Sequence, residues 1–263
     1  MCEMSFSKDR IIEIAMRQSA IDAGCEARDF MRAENITVIS SADRRARKYL
    51  ELPFDCNLIS YGSNIVASVG EGYVRRVSEY ISRFSIEKCF ETPGLYVLND
   101  AFLTEGLRAC FMAEYFLPDS DELSVFDCGF ELRVLEKGEF DALYTDEWSN
   151  AICKKRRELD MLCVGAYDGE RLIGLAGCSA DCDSMWQIGI DVLPAYRRHG
   201  VASALTSHLA AETFKRGKVP FYCAAWSNIA SVRNAINCGF RPAWVELTYK
   251  SIGFTDSLNS GEK

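Results

Sequence analysis

The fold of the C-terminal half of this chain is indicated by the stretch IDVLPAYRRHGVASAL, residues 190–205. Residues 186–193 form an apolar segment that is typical of a strand, and Pro194 ends it. Beyond Gly200, small and apolar residues recur at helical spacing from Val201 onward. The stretch therefore predicts a strand, a short basic turn and an amphipathic helix.

The turn Arg197-Arg198-His199-Gly200-Val201-Ala202 has the composition of an anion-binding site. The first N–H groups of a helix have no internal partner, and the helix dipole places about half a positive charge there. Gly200 permits a close backbone approach, and Ala202 leaves room for a ligand. The basic side chains raise the local positive potential in a chain of net charge −8. The turn therefore predicts a site for a phosphate group.

Periodicity and turn residues predict the other elements of the C-terminal half. Asp168-Gly169 is a strong signal for a hairpin turn. Gly217 suits the position that follows a helix end. The predicted strands cover residues 130–135, 161–167, 171–179, 186–193, 220–226 and 240–250. One or two helices are predicted within residues 136–158, and one helix each over residues 201–216 and 228–238.

The N-terminal half has a different order of predicted elements and no recognisable catalytic motif. Ser7 can cap a helix that runs to about Gly24, and a second helix is predicted over residues 73–84. Strands are predicted over residues 36–40, 57–61 and 64–69. The polar stretch at residues 117–124 suggests a domain break, which gives an α+β domain of unknown role at 1–125 and a second domain at 126–263.

The strand, the basic turn and the following helix, together with Asn228 and Cys238-Gly239-Phe240 further along, resemble the GNAT superfamily of acyl-CoA N-acyltransferases. The signature of that family is Q/R-x-x-G-x-G/A, followed by an N…GF segment. The resemblance covers roughly residues 128–250. It implies a mixed, largely antiparallel sheet that is splayed at its central strands and flanked by helices.

The resemblance also implies a co-substrate, acetyl-CoA, and the residues that bind it. Val192 matches the position whose backbone N–H polarises the thioester carbonyl, and Asn228 and Ser231 match positions near the pantetheine arm. The pyrophosphate cradle corresponds to Arg197, Arg198, His199, Gly200, Val201, Ala202 and Ser203.

Catalysis of amine acylation needs a route for the amine proton, a donor for the oxyanion and a proton for the thiolate. Asp183 and Asp191 are the candidate bases, because they flank the strand that meets the thioester. Asp183 is preferred, since a charge at Asp191 would crowd the donor. The family's tyrosine that protonates the thiolate corresponds here to Ala235, which leaves two possibilities: the thiolate leaves unassisted, or Ser231 or Cys238 assists through water.

Composition excludes several other classes of protein. A pI near 5.0 argues against nucleic acid as the main partner, and no apolar run is long enough to span a bilayer. The twelve cysteines form no CxxC pair and the chain has two histidines, so we expect no metal. The cysteines are expected to be reduced, mostly buried side chains, and the location is expected to be cytoplasmic.

Two functions remain open from the sequence. The first is an N-acetyltransferase that acts on a primary amine of a small molecule. The second is a non-catalytic acyl-CoA-binding or sensing module, which Ala235 suggests. The N-terminal domain and residues 226–231 also resemble a two-domain bacterial group that includes zwittermicin A resistance proteins. No oligomeric state is predicted.

Overall fold

The computed structural model describes residues 6–120 and 123–260. Cys2 and residues 121–122 of the predicted domain break lie outside this range. The helices are α1 (Lys8–Ala23), α2 (Val74–Arg83), α3 (Ile86–Phe90), α4 (Thr92–Leu103), α5 (Val201–Lys215), α6 (Ile229–Asn237) and α7 (Ile252–Ser260). The strands are β1 (Ile36–Ile39), β2 (Cys56–Ser60), β3 (Val66–Val69), β4 (Leu107–Pro118), β5 (Glu131–Glu136), β6 (Asp160–Asp168), β7 (Arg171–Ser179), β8 (Met185–Val192), β9 (Val219–Ala224) and β10 (Phe240–Ser251).

The chain divides into two compact units that are not contiguous in sequence. The first unit contains residues up to 15 together with 115–242, and the second contains 16–114 together with residues from 243 onward. This division differs from the predicted one at residue 125, because the C-terminal segment groups with the N-terminal half. The boundaries fall inside α1, β4 and β10.

The first unit has the mixed α+β architecture that the sequence predicted. Its strands lie in the order β4, β9, β8, β7, β6, β5. β5 to β8 are successively antiparallel, whereas β8 and β9 are parallel. Helix α5 packs Val201, Leu205 and Leu209 into a buried cluster with apolar side chains of β6 and β7. Gly217 has a φ of 71°, as expected for the residue that ends this helix.

The helix predicted over residues 136–158 is wrong. Three short 3-10 turns occupy this segment, at Asp141–Leu143, Asp146–Trp148 and Lys154–Arg156. The buried aromatic side chains between them, including Tyr144, pack in a cluster against β7. Carboxylates hold the backbone in place of an i→i−4 ladder. Asp160, for example, accepts hydrogen bonds from the Cys153 amide at 2.8 Å and the Tyr144 hydroxyl at 3.1 Å.

The second unit contains α2, α3, α4 and strands in the order β1, β3, β2, β10. β1 pairs with β3 in parallel, and β2 pairs antiparallel with both β3 and β10. Helices α2 and α4 cover a buried apolar cluster that includes Leu58, Val77, Leu98 and Tyr249. The predicted strands and helices of the N-terminal half are present with small shifts of their ends, but the sequence did not predict α3, α4, β4 or α7.

A buried charge network joins distant segments of the second unit. The Arg47 guanidinium donates to Asp22 at 2.5 Å and to Glu246 at 2.6 Å, and all three side chains are almost fully buried. Trp244 Nε1 also donates to Glu246, at 2.8 Å. Buried charges are tolerated when they are paired and hydrogen-bonded, so this network serves the structure.

The approach of residues 150–151 to β7 and β8 is possible only because two glycines face them. A Cβ atom at Gly189 would lie 1.9 Å from the carbonyl oxygen of Asn150, and one at Gly177 would lie 2.3 Å from that of Ala151. Both distances are far shorter than van der Waals contact, and the contacted atoms belong to the backbone. The two glycines are therefore a steric requirement of the first unit.

We predict that Gly189→Ala lowers the free energy of unfolding by at least about 1–3 kcal/mol, because the backbone of residues 150–151 must shift to avoid overlap. Gly253→Ala is the matched control. It lies in helix α7 with no atom within 4 Å of the added methyl group, so it should leave stability unchanged or slightly raise it. Chemical denaturation measures both. Equal stability of the two variants would contradict the packing of residues 150–151.

Candidate active site

The central feature of the first unit is a gap between the parallel strands β8 and β9. Residues 185–188 of β8 pair with residues 219–222 of β9, and the last pair is Ile188 with Tyr222. Beyond that pair, β8 continues to Val192 and β9 to Ala224 without mutual pairing. A groove of about 960 Å³ opens there, lined by β8, the start of α5, the end of β9, and α6. We call this feature the groove, and its inner end at Ile188 and Tyr222 the apex.

The edge of β8 that faces the groove carries free backbone groups. Leu193 donates its N–H to Ile173 in β7 at 3.0 Å, and Val192 lies opposite Gly174 in the same ladder. Because N–H groups alternate in direction along a strand, those of Ile190 and Val192 point away from β7 and toward β9. The groove therefore offers an extended ligand a row of strand hydrogen bonds.

The mouth of the groove is the N-terminus of α5. Gly200 precedes the helix in the left-handed conformation, with φ 78° and ψ −5°, and no side chain caps the helix. The amides of Val201, Ala202 and Ser203 have no partner within the helix because they belong to its first turn. These three residues line the groove. Amide donors and the helix dipole thus act together on any anion bound there.

The basic turn before α5 is backbone-strained as well as charged. Arg198 has a φ of 66°, and among the described non-glycine residues it alone has a positive φ. A bulky residue in this region costs conformational energy and often marks a functional site. The Arg197 side chain turns back and donates from Nε to the carbonyl oxygen of Val192 at 3.0 Å. The turn is therefore tied to the end of β8.

Nearly all predicted binding residues lie along the groove. Its lining includes Val192, Arg197, Arg198, Gly200, Val201, Ala202, Ser203, Asn228 and Ser231. His199 is exposed and lies outside the lining. Asn228 also caps helix α6, because its side-chain oxygen accepts the amide of Ser231 at 3.2 Å.

Asp191 lines the groove, but its carboxylate is committed to the fold. Oδ2 accepts the amides of Asn150 at 2.8 Å and Ala151 at 2.9 Å, and Oδ1 accepts the Asn150 side-chain amide at 2.7 Å. Both oxygens are therefore occupied in holding residues 150–151 against β8. This position argues against the predicted role of Asp191 as proton acceptor.

Asp183 does not reach the groove. It is exposed, precedes β8, and does not belong to the groove lining. Met185, the first residue of β8, is three residues from Ile188 at the apex, about 10 Å along an extended strand, and the paired part of β8 and β9 lies between Asp183 and the groove. The predicted assignment of Asp183 as the base is therefore not supported by its position, because proximity in sequence placed it at the wrong end of the strand.

Among the groove-lining residues that the sequence did not predict, Ile190, Tyr222 and Arg233 matter most for the chemistry. The alternation of strand residues could have found Ile190, two positions before Val192. Tyr222 lies within the predicted strand at residues 220–226. It is 2% exposed, yet its hydroxyl lies 2.8 Å from that of Ser231. Burial raises the pKa of Tyr222, so its phenol stays protonated at neutral pH.

Ala235 packs in the core on the buried side of α6. It is fully buried, belongs to the same apolar cluster as Tyr222 and Phe240, and does not line the groove. Ser231 lies one helical turn before Ala235, so both are on one side of the helix. The Tyr222 hydroxyl therefore reaches this side of α6 from β9, through its contact with Ser231.

The described residues contain no group of three or more His, Cys, Asp or Glu side chains arranged to hold a metal ion. All eleven cysteines within residues 6–120 and 123–260 are free thiols, and six of them are buried. No helix in the described part of the chain is long and apolar enough to cross a membrane.

One family model is similar to part of the chain. Residues 130–240 match the model of the Acetyltransferase (GNAT) family, a segment that spans β5 to the start of β10. No curated protein is significantly similar in sequence to this chain.

Solved structures with a related fold include proteins from several bacteria. A protein assigned to the GNAT family from Novosphingobium aromaticivorans is 22% identical over 55% of this chain, with a TM-score of 0.39. A GCN5-related N-acetyltransferase-like protein from Streptococcus suis is 17% identical over 61%, with a TM-score of 0.43, and a GCN5-related N-acetyltransferase from Kribbella flavida is 17% identical over 60%, with a TM-score of 0.47. This chain spans 66%, 68% and 64% of those three proteins.

The structural role of Asp191 gives a testable difference between the two predicted bases. We expect Asp191→Asn to lower the free energy of unfolding by about 1 kcal/mol or more, because an amide has one accepting oxygen and cannot keep all three hydrogen bonds. Asp183→Asn, the matched control at an exposed position, should stay within about 0.5 kcal/mol of the wild type. Urea denaturation measures both. An Asp191→Asn protein as stable as the wild type would refute the structural role.

Proposed function

We propose that this chain transfers an acetyl group from acetyl-CoA to a primary amine of a small molecule, and that the groove of the GNAT domain at residues 130–240 holds the donor. The observation that carries the proposal is the alignment of two features along one groove. Free strand groups of β8 run from the apex to the mouth, and an uncapped helix N-terminus stands at the mouth. A long polar arm that ends in a pyrophosphate fits this order of groups.

The proposed donor lies with its pyrophosphate on the amides of Val201, Ala202 and Ser203, beside Arg197 and Arg198. Its pantetheine arm extends along β8 and pairs with the strand edge as an added strand would. Asn228 and Ser231 border the arm from α6.

The thioester carbonyl is proposed to lie near the apex, beyond Val192. Val192 is the last residue of β8, next to the cradle, and its carbonyl oxygen already accepts from Arg197. The N–H of Ile190 faces the same side of the strand and lies closer to Ile188, where the groove ends. We therefore assign to Ile190 the role of oxyanion donor, and to Val192 a contact with the arm. An N–H aimed at the developing oxyanion stabilises the transition state.

The reaction needs no covalent enzyme intermediate. The neutral amine attacks the thioester carbon, the C–N bond forms, and the C–S bond breaks after a tetrahedral intermediate. Among the lining residues Asp191 is the one carboxylate, and its oxygens are engaged. We therefore propose that the amine proton leaves to solvent. Since an aliphatic amine has a pKa near ~10.4, kcat/KM should rise about tenfold per pH unit near neutrality.

The thiolate that leaves is proposed to take its proton from the hydroxyl pair of Tyr222 and Ser231. Both residues line the groove, and their oxygens lie 2.8 Å apart. Burial keeps the phenol protonated, and Ser231 can relay its proton toward the groove. This pair would protonate the thiolate, a role that position 235 cannot take because an alanine stands there.

The acceptor is proposed to be a small cationic amine, because a chain of net charge −8 attracts cations. The narrower relation to zwittermicin A resistance proteins belongs to the same proposal. It rests on the N-terminal half and on residues 226–231.

Donor binding is tested by Ala202→Glu. We expect acetyl-CoA to raise the melting temperature of the wild type but not of this variant, because the new carboxylate meets the pyrophosphate. An acidic residue in the first turn stabilises a helix, so the variant should fold. Ala202→Ser is the matched control and should keep most of the shift. Equal shifts for wild type and Ala202→Glu would overturn the proposed cradle.

Turnover is tested by measuring CoA release from acetyl-CoA with a panel of small amines between pH 6 and 9. The wild type should release CoA with at least one amine, and Tyr222→Phe should lower kcat about tenfold or more while KM for acetyl-CoA stays unchanged. Binding of acetyl-CoA without turnover across the panel would instead support the non-catalytic sensing function. A Tyr222→Phe protein with normal kcat would remove the proposed proton donor.

A further inference from the structure

Arg233 is a charged residue that lines the groove without a partner among the described residues. It lies on α6, is exposed, and lines the groove. Within the described residues it forms no hydrogen bond and no ion pair. By contrast, Arg197 is held by the carbonyl of Val192, and Arg156 and Arg216 pair with carboxylates. Arg233 therefore presents an uncompensated positive charge to the groove.

The neighbours of Arg233 place it near the phosphate end of the groove. Asn234 accepts from the Ser203 hydroxyl at 3.1 Å and donates to the Thr206 hydroxyl at 2.9 Å, and both partners lie in the first turns of α5. Adjacent Cα atoms are about 3.8 Å apart, so Arg233 stands beside the same end of α5. Asn237, one turn further on, also lines the groove.

The groove is positively charged in an acidic chain. Three arginines, Arg197, Arg198 and Arg233, line it against a single carboxylate, Asp191, in a chain of net charge −8. The first turn of α5 and the basic turn already serve the pyrophosphate. Arg233 lies on α6, a different helix from the one that begins at the cradle, so it can meet a second anionic group of the donor.

Coenzyme A carries such a group, a phosphate monoester on the 3′-oxygen of its ribose. A phosphate monoester has a charge of about −1.5 to −2 at pH 7 and three acceptor oxygens. A guanidinium presents its donors in a planar fork that matches phosphate oxygens, and such charge-assisted bonds are strong. On the basis of the proposed donor, we propose that Arg233 binds the 3′-phosphate of coenzyme A. Arg233 thereby makes the groove select coenzyme A over analogues that lack this phosphate.

The test is calorimetric titration of the full chain with CoA and with 3′-dephospho-CoA. The wild type should bind CoA about 10- to 100-fold more tightly, as expected for charge-assisted hydrogen bonds. Arg233→Met should lose most of this ratio by weakening CoA alone, with the affinity for 3′-dephospho-CoA unchanged. Such a pattern measures the interaction between Arg233 and the 3′-phosphate separately from the other contacts, as a double-mutant cycle does.

Two further variants serve as controls. Arg198→Met should weaken both ligands by a similar factor and keep their ratio, because it acts on the shared pyrophosphate. Arg75→Met, at a highly exposed site on α2 of the second unit, should change neither affinity. Melting temperatures without ligand establish that each variant is folded.

The remaining outcomes separate this inference from the proposed function. Equal affinity of the wild type for the two ligands, or an Arg233→Met variant that weakens both equally, overturns the role of Arg233 and leaves the donor assignment intact. Failure of the wild type to bind either ligand overturns the proposed donor and, with it, the role of Arg233.

Discussion

The site in the first unit depends on the point at which two parallel strands stop pairing. After Ile188 and Tyr222, β8 and β9 continue without hydrogen bonds to each other. Backbone groups that are neither paired nor solvated are costly, so such a gap persists only where water or a ligand can enter. The open groove meets this condition. Because only eight residues, which include the 3-10 turn Pro194–Tyr196, separate β8 from α5, the free strand edge leads to a helix N-terminus.

The opposite face of β8 holds the strand in place. Gly177 and Gly189 let residues 150–151 approach within backbone contact, and the Asp191 carboxylate binds the amides that this approach would otherwise leave unpaired. A carboxylate beside a groove resembles a catalytic base, but its chemistry depends on what else it contacts. Three hydrogen bonds make Asp191 a support for β8 and leave the groove without a free carboxylate.

Polar side chains on α6 connect the two ends of the groove. Ser231 meets the Tyr222 hydroxyl near the apex, and Asn234 meets Ser203 at the start of α5. Each contact fixes α6 relative to a different element that lines the groove. Ala235 packs into the core on the same side of α6 as Ser231, and the Tyr222 hydroxyl approaches Ser231 from β9. The charge of the groove, positive in an acidic chain, then favours anionic donors over other ligands.

The sequence by itself determined the local features of this protein. The Asp168-Gly169 hairpin, the start of α5 at Val201 and its end before Gly217 were predicted, because turn chemistry and hydrophobic period act over a few residues. The mixed sheet was implied by the family resemblance. Only the tertiary structure decided the rest. Residues 136–158 have aromatic side chains at helical spacing, yet they form short turns, because carboxylates distant in sequence bind their backbone. Asp191 acts on Asn150, 41 residues away, and β10 carries the chain from the first unit into the second. Such long-range contacts leave no local pattern in the sequence. Only the structure therefore showed that Asp191 supports β8 through residues 150–151, whereas other residues face the groove.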